Sequence, residues 1–258
     1  MIKSMQKWLR DLIPPISLFC LALLVWHALV RAYDVPAYLA PEPLDVLGAI
    51  RTNFITLTNA TAQTAFAALC GFALSLVIGF LIAFLFSQST FARLSLYPYA
   101  IFLQTVPIVA VAPLIVIWFG TGLKSVILVA FVVSLFPIIT NATAGLTRAN
   151  SSLKDLFRIY NASRLQILFK LTLPGSVPYL IAGARIASGL SVIGAIVGEF
   201  FAGYGTTSFG LGYLIILTKG QLDTDFLFAA IFASTLLGLV IFGVVNIVAD
   251  VILSRWFH

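Results

Sequence analysis

The sequence predicts an all-α protein that crosses a membrane several times, and three observations predict this class. Of the 258 residues, 61% are hydrophobic and only 9% are charged. The mean hydropathy is +1.08, whereas a soluble domain needs a polar surface around its core. Charge-free apolar runs recur near the length of about 20 residues that a spanning helix needs. Because a bilayer admits only helices and closed barrels as spanning structures, these runs favour a helical bundle.

Six apolar runs are long enough to span the hydrocarbon core. They are residues 12–30, 59–86, 95–119, 125–146, 178–201 and 226–250. The whole chain, 1–258, is expected to form a single transmembrane domain. The first run follows a basic start, as the apolar part of a signal peptide does, but no small-residue cleavage site follows it, so it is predicted to be a helix. The apolar stretch 205–217 is too short to span and is expected to be a re-entrant or interfacial helix.

The distribution of charge predicts that both termini lie in the cytoplasm. In that orientation, ten of the 15 Lys and Arg residues lie on the cytoplasmic side and four lie in the outer loops, as the positive-inside rule requires. Five acidic residues fall outside: Asp34, Glu42, Asp45, Asp223 and Asp225. The net charge of +6 therefore reflects membrane topology, and no nucleic-acid partner is expected.

Residues 147–177 form a polar insert between the fourth and fifth spans, on the predicted cytoplasmic side. Ser152 with Asp155, and Ser163 with Gln166, have the spacing of capping boxes, which predicts two short helices. Asn161 lies between them, and Asn tolerates the left-handed conformation that a chain reversal needs. The insert is therefore predicted to be a helix-turn-helix.

The first of these helices carries one apolar stripe. Its members follow the i, i+3, i+4, i+7 pattern and are Leu153, Leu156, Phe157 and Tyr160. Pro174 and Gly175 are expected to end the second helix before the fifth span. A protruding helix pair with an apolar stripe indicates a docking surface for another protein.

The insert resembles the cytoplasmic signature of the inner-membrane permease subunits of bacterial ABC importers. That signature reads E-A-A, three residues, G, nine residues, and I-x-L-P. Here Asp155, Leu156 and Phe157 stand at the E-A-A positions, and Asn161 stands at the Gly. The closing positions are Leu171, Thr172, Leu173 and Pro174. The spacing matches throughout, while Asp replaces Glu, bulky residues replace both alanines and Asn replaces Gly.

Further stretches between Pro36 and Leu253 resemble one branch of that family, which imports sulfonates, taurine, nitrate, bicarbonate, pyrimidine precursors of thiamine, or riboflavin. They are "VPAYLAPEPLDVLGAI", "QTVPIVAVAPLIVIWFGTG", "LTLPGSVPYLIAGARIA", and "VGEFFAG" followed by "GLGYLI". The substrate implied is thus a small organic anion or a heterocycle.

The resemblance also implies an assembly. It implies the fold of a type I ABC importer permease in the bacterial inner membrane, with a second permease copy, two cytoplasmic ATPase subunits and an extracytoplasmic substrate-binding protein as partners, and membrane lipid around them. ATP and Mg would be bound by the partner ATPases, and no cofactor by this chain. The residues implied in ATPase coupling are Asp155, Leu156, Phe157, Tyr160, Asn161, Leu173 and Pro174.

Several function classes lack their motifs. The sequence contains no G-x-x-x-x-G-K-[ST] and no Gly-Lys dipeptide, so it has no P-loop. His27 and His258 stand alone, and Cys20 and Cys70 lie in different spans, so neither metal site nor disulfide is expected. A transport subunit rather than an enzyme is predicted. The alternative is a proton- or ion-coupled secondary transporter, which would need several mid-membrane acids and an inverted repeat.

Polar and helix-breaking residues within the spans are candidates for a translocation pathway. They are Gln104, Pro107, Ser188, Ser191 and Glu199. The proline marks either a structural kink or a pore lining, because the carbonyls that it frees need protein or water as partners. Glu199 lies near the outer end of its span, which favours an interfacial or gating role over direct contact with substrate.

Two further features of the fifth span have alternative interpretations. Arg185 either extends towards the cytoplasmic surface, pairs with another helix, or attracts an anion to the pathway. Gly194 and Gly198 form a small-xxx-small pair, which lets another helix approach closely. This face is expected to meet the second permease copy or to line the pore beside it.

Overall fold

The computed structural model describes the backbone of residues 2–148, 151–203 and 209–256, and the side chains of these residues except 2–12, 151 and 256. These residues form α-helices, and no β-strand occurs among them. The first six helices are α1 (Ile2–Ala32), α2 (Pro43–Thr52), α3 (Phe54–Gln88), α4 (Thr90–Thr105), α5 (Ile108–Phe119) and α6 (Leu123–Thr147). The others are α7 (Ser151–Ile159), α8 (Arg164–Ile167), a π-helical turn (Leu168–Thr172), α9 (Leu173–Ala202), α10 (Leu211–Gln221) and α11 (Thr224–Trp256).

The predicted all-α polytopic class is confirmed, and the predicted six spans are reached when one bent helix pair is taken as a span. Five helical segments are long and apolar enough to cross a membrane: Ile13–Ala32, Phe54–Gln88, Leu123–Thr147, Arg164–Ala202 and Thr224–Arg255. Helices α4 and α5 make a sixth only as a bent pair, with an angle of 101° between them. The part of the stretch 205–217 that is described begins α10, which is 11 residues long.

The predicted span over residues 95–119 is bent within its length, at the proline for which the sequence allowed a structural kink. Val106 and Pro107, at the break between α4 and α5, both have extended backbone conformations, with ψ of 123° and 118°. The proline ring disfavours the helical conformation for the residue before it, and here Val106 adopts the extended alternative, so α4 ends at Thr105 and a new helix starts at Ile108.

Helices α3, α6 and α9 form the centre of the bundle. The contact between α6 and α9 is built from small residues: a Cβ atom on Gly194 would lie 2.7 Å from the Cα of Ala130, and one on Gly198 would lie 3.0 Å from the Cα of Val126. The expectation that the face of Gly194 and Gly198 meets a second permease copy or lines a pore is therefore wrong. Close approach without side chains increases dispersion contacts, which drive helix association in lipid, and here the partner is α6 of the same chain.

Proline 174 does not end a helix, contrary to the sequence prediction. Helix α8 continues through the π-helical turn into α9, so Arg164–Ala202 is one continuous helical segment of 39 residues. Pro174 lies in the first turn of α9, after a backbone bond from the Leu173 N–H to the Leu168 carbonyl. Proline has no N–H to donate to the preceding turn, and in this helix the wider i→i−5 bonding of the π-turn lies directly before Pro174. Gly175 follows within the helix.

Helix α1 lies at the periphery of the bundle, and only 6% of the residues in the apolar part of its span, Ile13–Ala32, are buried. The Trp26 ring stacks on Phe228 of α11 with centroids 5.5 Å apart. Glu42, directly before α2, pairs with His27 at 3.3 Å and with Arg31 at 3.1 Å. The His27 ring is thus held against the Glu42 carboxylate near the end of α1.

Candidate functional site

The signature loop, residues 151–172, presents apolar side chains to its surroundings. Leu153, Leu156 and Tyr160 of the predicted stripe are 41%, 46% and 79% exposed, and Phe157 is half-buried. An open concavity of about 340 Å³ lies between the two short helices, lined by Leu156, Phe157, Tyr160, Ala162, Gln166 and Lys170. Apolar groups line its first-helix side and polar groups its second-helix side, so it can receive an apolar side chain of another protein.

Local hydrogen bonds shape the turn of this loop much as the sequence predicted. Asn161 has φ of 51°, the left-handed conformation. Its own N–H donates to the Arg158 carbonyl at 2.9 Å. Ser163 and Gln166 form the predicted capping box, with the Gln166 N–H donating to Ser163 Oγ and the Ser163 N–H donating to Gln166 Oε1. Helix α7 begins at Ser151, next to residues 149–150, which lie outside the described part of the chain, so the box of Ser152 with Asp155 stays a prediction.

The structure adds apolar residues that the sequence stripe missed. Ile159 is 76% exposed, and Leu165 and Phe169 on the second helix are 66% and 64% exposed. Leu165 and Phe169 are four residues apart, which is the spacing of one helical face, and this spacing could have identified them. Ile159 lies off the stripe and had no such signal.

The remaining predicted coupling residues have different environments. Asp155 is exposed and forms an ion pair with Arg158 at 3.4 Å, within α7. Leu173 is half-buried and packs against the cluster of Ala83, Ala142 and Leu146. Pro174 is half-buried beside it. Leu173 and Pro174 thus anchor the base of the loop in the bundle, while the stripe residues stay outside.

The predicted pathway residues fall into two groups. Gln104 and Pro107 are exposed at the break between α4 and α5. Ser188 and Ser191 have no exposed area, and their hydroxyls donate to the Arg185 and Ser188 carbonyls of their own helix at 2.8 and 2.9 Å. The structure therefore does not bring the two groups together, and contact between Ser188 or Ser191 and a substrate would require this packing to open.

Glu199 is buried, with 4% of its area exposed, at the meeting point of three helices. Thr64 Oγ1 of α3, also fully buried, donates to the carboxylate with distances of 2.9 Å to Oε1 and 3.0 Å to Oε2. The Gly212 N–H of α10 donates to Oε2 at 2.7 Å. Thr64 Oγ1 in turn accepts the Leu211 N–H at 2.8 Å. The sequence had located Glu199 correctly at a span end, but its partner Thr64 lies 135 residues away and gave no signal.

Glycines permit this arrangement. A Cβ atom on Gly212 would lie 2.8 Å from the Glu199 Cβ and would overlap the Ile196 carbonyl oxygen, and one on Gly210 would overlap the Glu199 carboxylate. Only a residue without a side chain lets the start of α10 approach α9 this closely. The first amides of a helix lack partners within it, and here the Leu211 and Gly212 amides find them on α3 and α9.

Arg185 pairs with another helix, which was one of its alternatives. Its Nη2 lies 2.5 Å from Oδ1 of Asp250 on α11. The arginine side chain is 34% exposed and the aspartate side chain is 72% exposed. The pair links α9 and α11 at the rim of the bundle.

A comparison with protein families identifies the group to which these features belong. The model of the family described as "Binding-protein-dependent transport system inner membrane component" matches residues 75–257. The chain belongs to this family. It is a permease subunit of an ABC importer, a transport component and not an enzyme, and ATPase subunits and a substrate-binding protein are the partners that the family implies. This membership does not favour the alternative of an ion-coupled secondary transporter.

Curated relatives support the same assignment. The permease is 32% identical to the formylaminopyrimidine transport permease protein ThiX of Halalkalibacterium halodurans, over 93% of this chain and 94% of that protein. It is 34% identical to the riboflavin transport system permease protein RibX of Chloroflexus aurantiacus, over 94% of this chain and 89% of that protein. It is 26% identical to a putative aliphatic sulfonates transport permease protein, SsuC, of Bacillus subtilis, over 94% and 83%.

A solved structure shares the fold. The permease matches a chain of the MetNI methionine ABC transporter in an inward-facing conformation with a TM-score of 0.56, over 78% of this chain and 94% of that chain. The sequence identity is 19%, so the match concerns the architecture alone. It confirms the predicted fold of a type I ABC importer permease.

Proposed function

We propose that this permease works as a pair of copies, with the translocation pathway between them and the signature loop of each copy seated on a cytoplasmic ATPase subunit. The observation that carries the proposal is the exposure of Leu156 and Tyr160 beside an open concavity. In water such apolar side chains gain free energy when a partner covers them, by about 25 cal/mol for each Å² buried. The loop also continues as a helix into α9, so a partner that moves the loop moves a central helix.

This proposal fixes the orientation and the partners. Both termini and the signature loop lie in the cytoplasm. The excess of Lys and Arg in these segments supports this orientation. ATP and Mg²⁺ bind the ATPase subunits, and this chain binds neither. Membrane lipid covers the exposed apolar residues of α1 and α11, such as Leu18, Phe19 and Ile247. A homodimer is the simplest assembly, because one chain type then provides both halves of the pathway.

The proposed substrate is a small heterocycle related to pyrimidines or flavins. The names of two relatives that are 32% and 34% identical support a heterocycle, and the sulfonate relative at 26% supports a small organic anion as the second candidate. Calorimetric titration of the partner binding protein with formylaminopyrimidine, riboflavin, an alkyl sulfonate and nitrate separates these classes. Binding of the sulfonate or nitrate alone would contradict the heterocycle.

The docking role is tested by placing charges on the stripe. The double variant Leu156→Arg with Phe157→Asp is expected to insert into the membrane and to lose co-purifying ATPase, because a charge buried without a partner opposes association. The matched control is Tyr38→Asp with Leu39→Arg, which puts the same charges on side chains that are 58% and 62% exposed in the turn between α1 and α2. Stoichiometric ATPase in the Leu156–Phe157 variant would refute the docking role.

A further inference from the structure

One helical segment connects the signature loop to Glu199. Arg164–Ala202 is continuous over 39 residues, which is about 58 Å at 1.5 Å per residue, nearly twice the hydrocarbon thickness of about 30 Å. The loop lies at one end of this segment, and Glu199 lies three residues from the other end. A displacement at one end therefore reaches the other end through a single element.

At the far end, a buried hydrogen-bond chain fixes the start of α10. The Leu211 N–H donates to Thr64 Oγ1 at 2.8 Å, Thr64 Oγ1 donates to Glu199, and the Gly212 N–H donates to Glu199 Oε2 at 2.7 Å. Gly210, the residue at the N-cap position of α10, provides no side-chain bond of its own. The cap of α10 is therefore supplied by α3 and α9.

The glycine contacts leave no clearance between α10 and α9. A Cβ atom on Gly212 would lie 2.8 Å from the Glu199 Cβ, a separation that non-bonded carbons do not adopt. With its amides held by Thr64 and Glu199 and its backbone against Ile196 and Glu199, α10 cannot shift relative to α9 without breaking buried hydrogen bonds. Helix α10 is also only 11 residues long, too short to span the membrane, so its position depends on its neighbours.

We infer that Glu199 and Thr64 are positioning residues that make the short helix α10 move with α9, so that a nucleotide-driven displacement of the signature loop also repositions α10 at the opposite end of the bundle. The inference rests on the proposed function, because it takes the loop as the point where the ATPases act. In this scheme α10 is a moving part at the end of the bundle opposite the signature loop. The Glu199 carboxylate accepts the Gly212 N–H and the Thr64 hydroxyl there, and its role requires no contact with substrate.

Hydrogen–deuterium exchange on the unmodified protein gives the first test. The full permease with its ATPase subunits in lipid nanodiscs is compared without nucleotide and with Mg-ATP and orthovanadate. Peptides covering residues 151–172 and 211–221 are expected to change their exchange together. A change in the loop without a change in 211–221 would overturn this inference and leave the proposed function standing. The loop is also compared between the permease alone and the permease with its ATPase subunits, and absence of protection by the subunits would refute the proposed function itself.

Variants in the hydrogen-bond chain give the second test. Thr64→Val keeps the side-chain shape and removes the hydroxyl, whereas Thr64→Ser keeps the hydroxyl. Thr64→Val is expected to lose the nucleotide-dependent response of residues 211–221 while the loop still responds, and Thr64→Ser is expected to retain it. If both variants keep the response of residues 211–221, the Thr64 hydroxyl is not needed for it. If both lose the response, packing of the Thr64 side chain is what matters. Either result would count against the hydrogen-bond relay.

A glycine pair on α10 provides the matched steric test. Gly212→Ala introduces the clash with α9, whereas a Cβ atom on Gly220 of the same helix meets nothing within 4 Å. Gly212→Ala is expected to lose the α10 response and to lower substrate uptake per ATP hydrolysed, while Gly220→Ala behaves as wild type. If Gly212→Ala and Gly220→Ala show the same exchange response in residues 211–221 and the same uptake per ATP hydrolysed, the contact between α10 and α9 does not transmit the motion.

Discussion

Gly194 of α9 lies against the backbone of Ala130 in α6, so closely that a Cβ atom on Gly194 would be 2.7 Å from the Ala130 Cα. Because the obstructing atom belongs to the backbone, a side chain at residue 194 can be accommodated only if α6 and α9 move apart. The contact therefore makes Gly194 a stability determinant of the subunit.

Gly194→Ala is expected to destabilise the subunit, by about 1–3 kcal/mol as for other overpacked cores. Gly189 lies in the same helix, and a Cβ atom there meets nothing within 4 Å, so Gly189→Ala serves as the control and is expected to keep or slightly raise stability, because alanine favours a helix over glycine. The measurement is the melting temperature of each variant in detergent. Equal melting temperatures for the two variants would contradict the packing described here.

The glycine pair also shows where sequence analysis reaches its limit. The spacing of Gly194 and Gly198 predicts that some helix approaches closely, but the spacing is the same whether that helix belongs to this chain or to another copy. The partner is chosen by the whole packing of α3, α6 and α9. Thr64 and Glu199 illustrate the same limit, since 135 residues separate the two ends of their hydrogen bond.

Local interactions were predicted much better. The left-handed Asn161 and the Ser163–Gln166 capping box depend on residues within a few positions of each other, so the sequence contains all the information that they need. The prediction that Pro174 ends the helix was wrong, because whether a proline ends a helix depends on the turn before it. A π-turn over Leu168–Thr172 lets the helix continue, and no pattern in the sequence indicated that turn.

The pair of Arg185 and Asp250 is expected to stabilise the contact between α9 and α11 modestly. The Asp250 side chain is 72% exposed, so solvent weakens the attraction and the pair should contribute about 1 kcal/mol or less. Arg185→Gln and Asp250→Asn are expected to cost similar amounts of stability, and the double variant no more than the larger single cost. Thermal unfolding of the three variants measures this cycle.

Additive losses in that cycle would favour the alternative in which Arg185 only extends towards the membrane surface. A role in attracting an anionic substrate makes a different prediction, because Arg185→Gln would then reduce uptake while Asp250→Asn would not. Uptake in proteoliposomes, measured at equal amounts of assembled complex, separates an ion-pair contact from a pathway charge.

Water access at the break between α4 and α5 distinguishes pathway residues from packed ones. With Cys20 and Cys70 replaced by Ala, single cysteines at Gln104, Ser188 and Leu81 are treated with a charged maleimide that does not cross membranes. Gln104 is exposed next to the break, Ser188 is fully buried, and Leu81 is 58% exposed on the apolar surface of α3. A thiol reacts with such a reagent only where water reaches it, so Gln104→Cys is expected to be labelled and Ser188→Cys is not.

Leu81→Cys is the control for exposure to lipid, where the charged reagent has no access. If Gln104→Cys resists the reagent as Leu81→Cys does, the break faces lipid or the second copy, and the pathway must be sought along another face of the bundle.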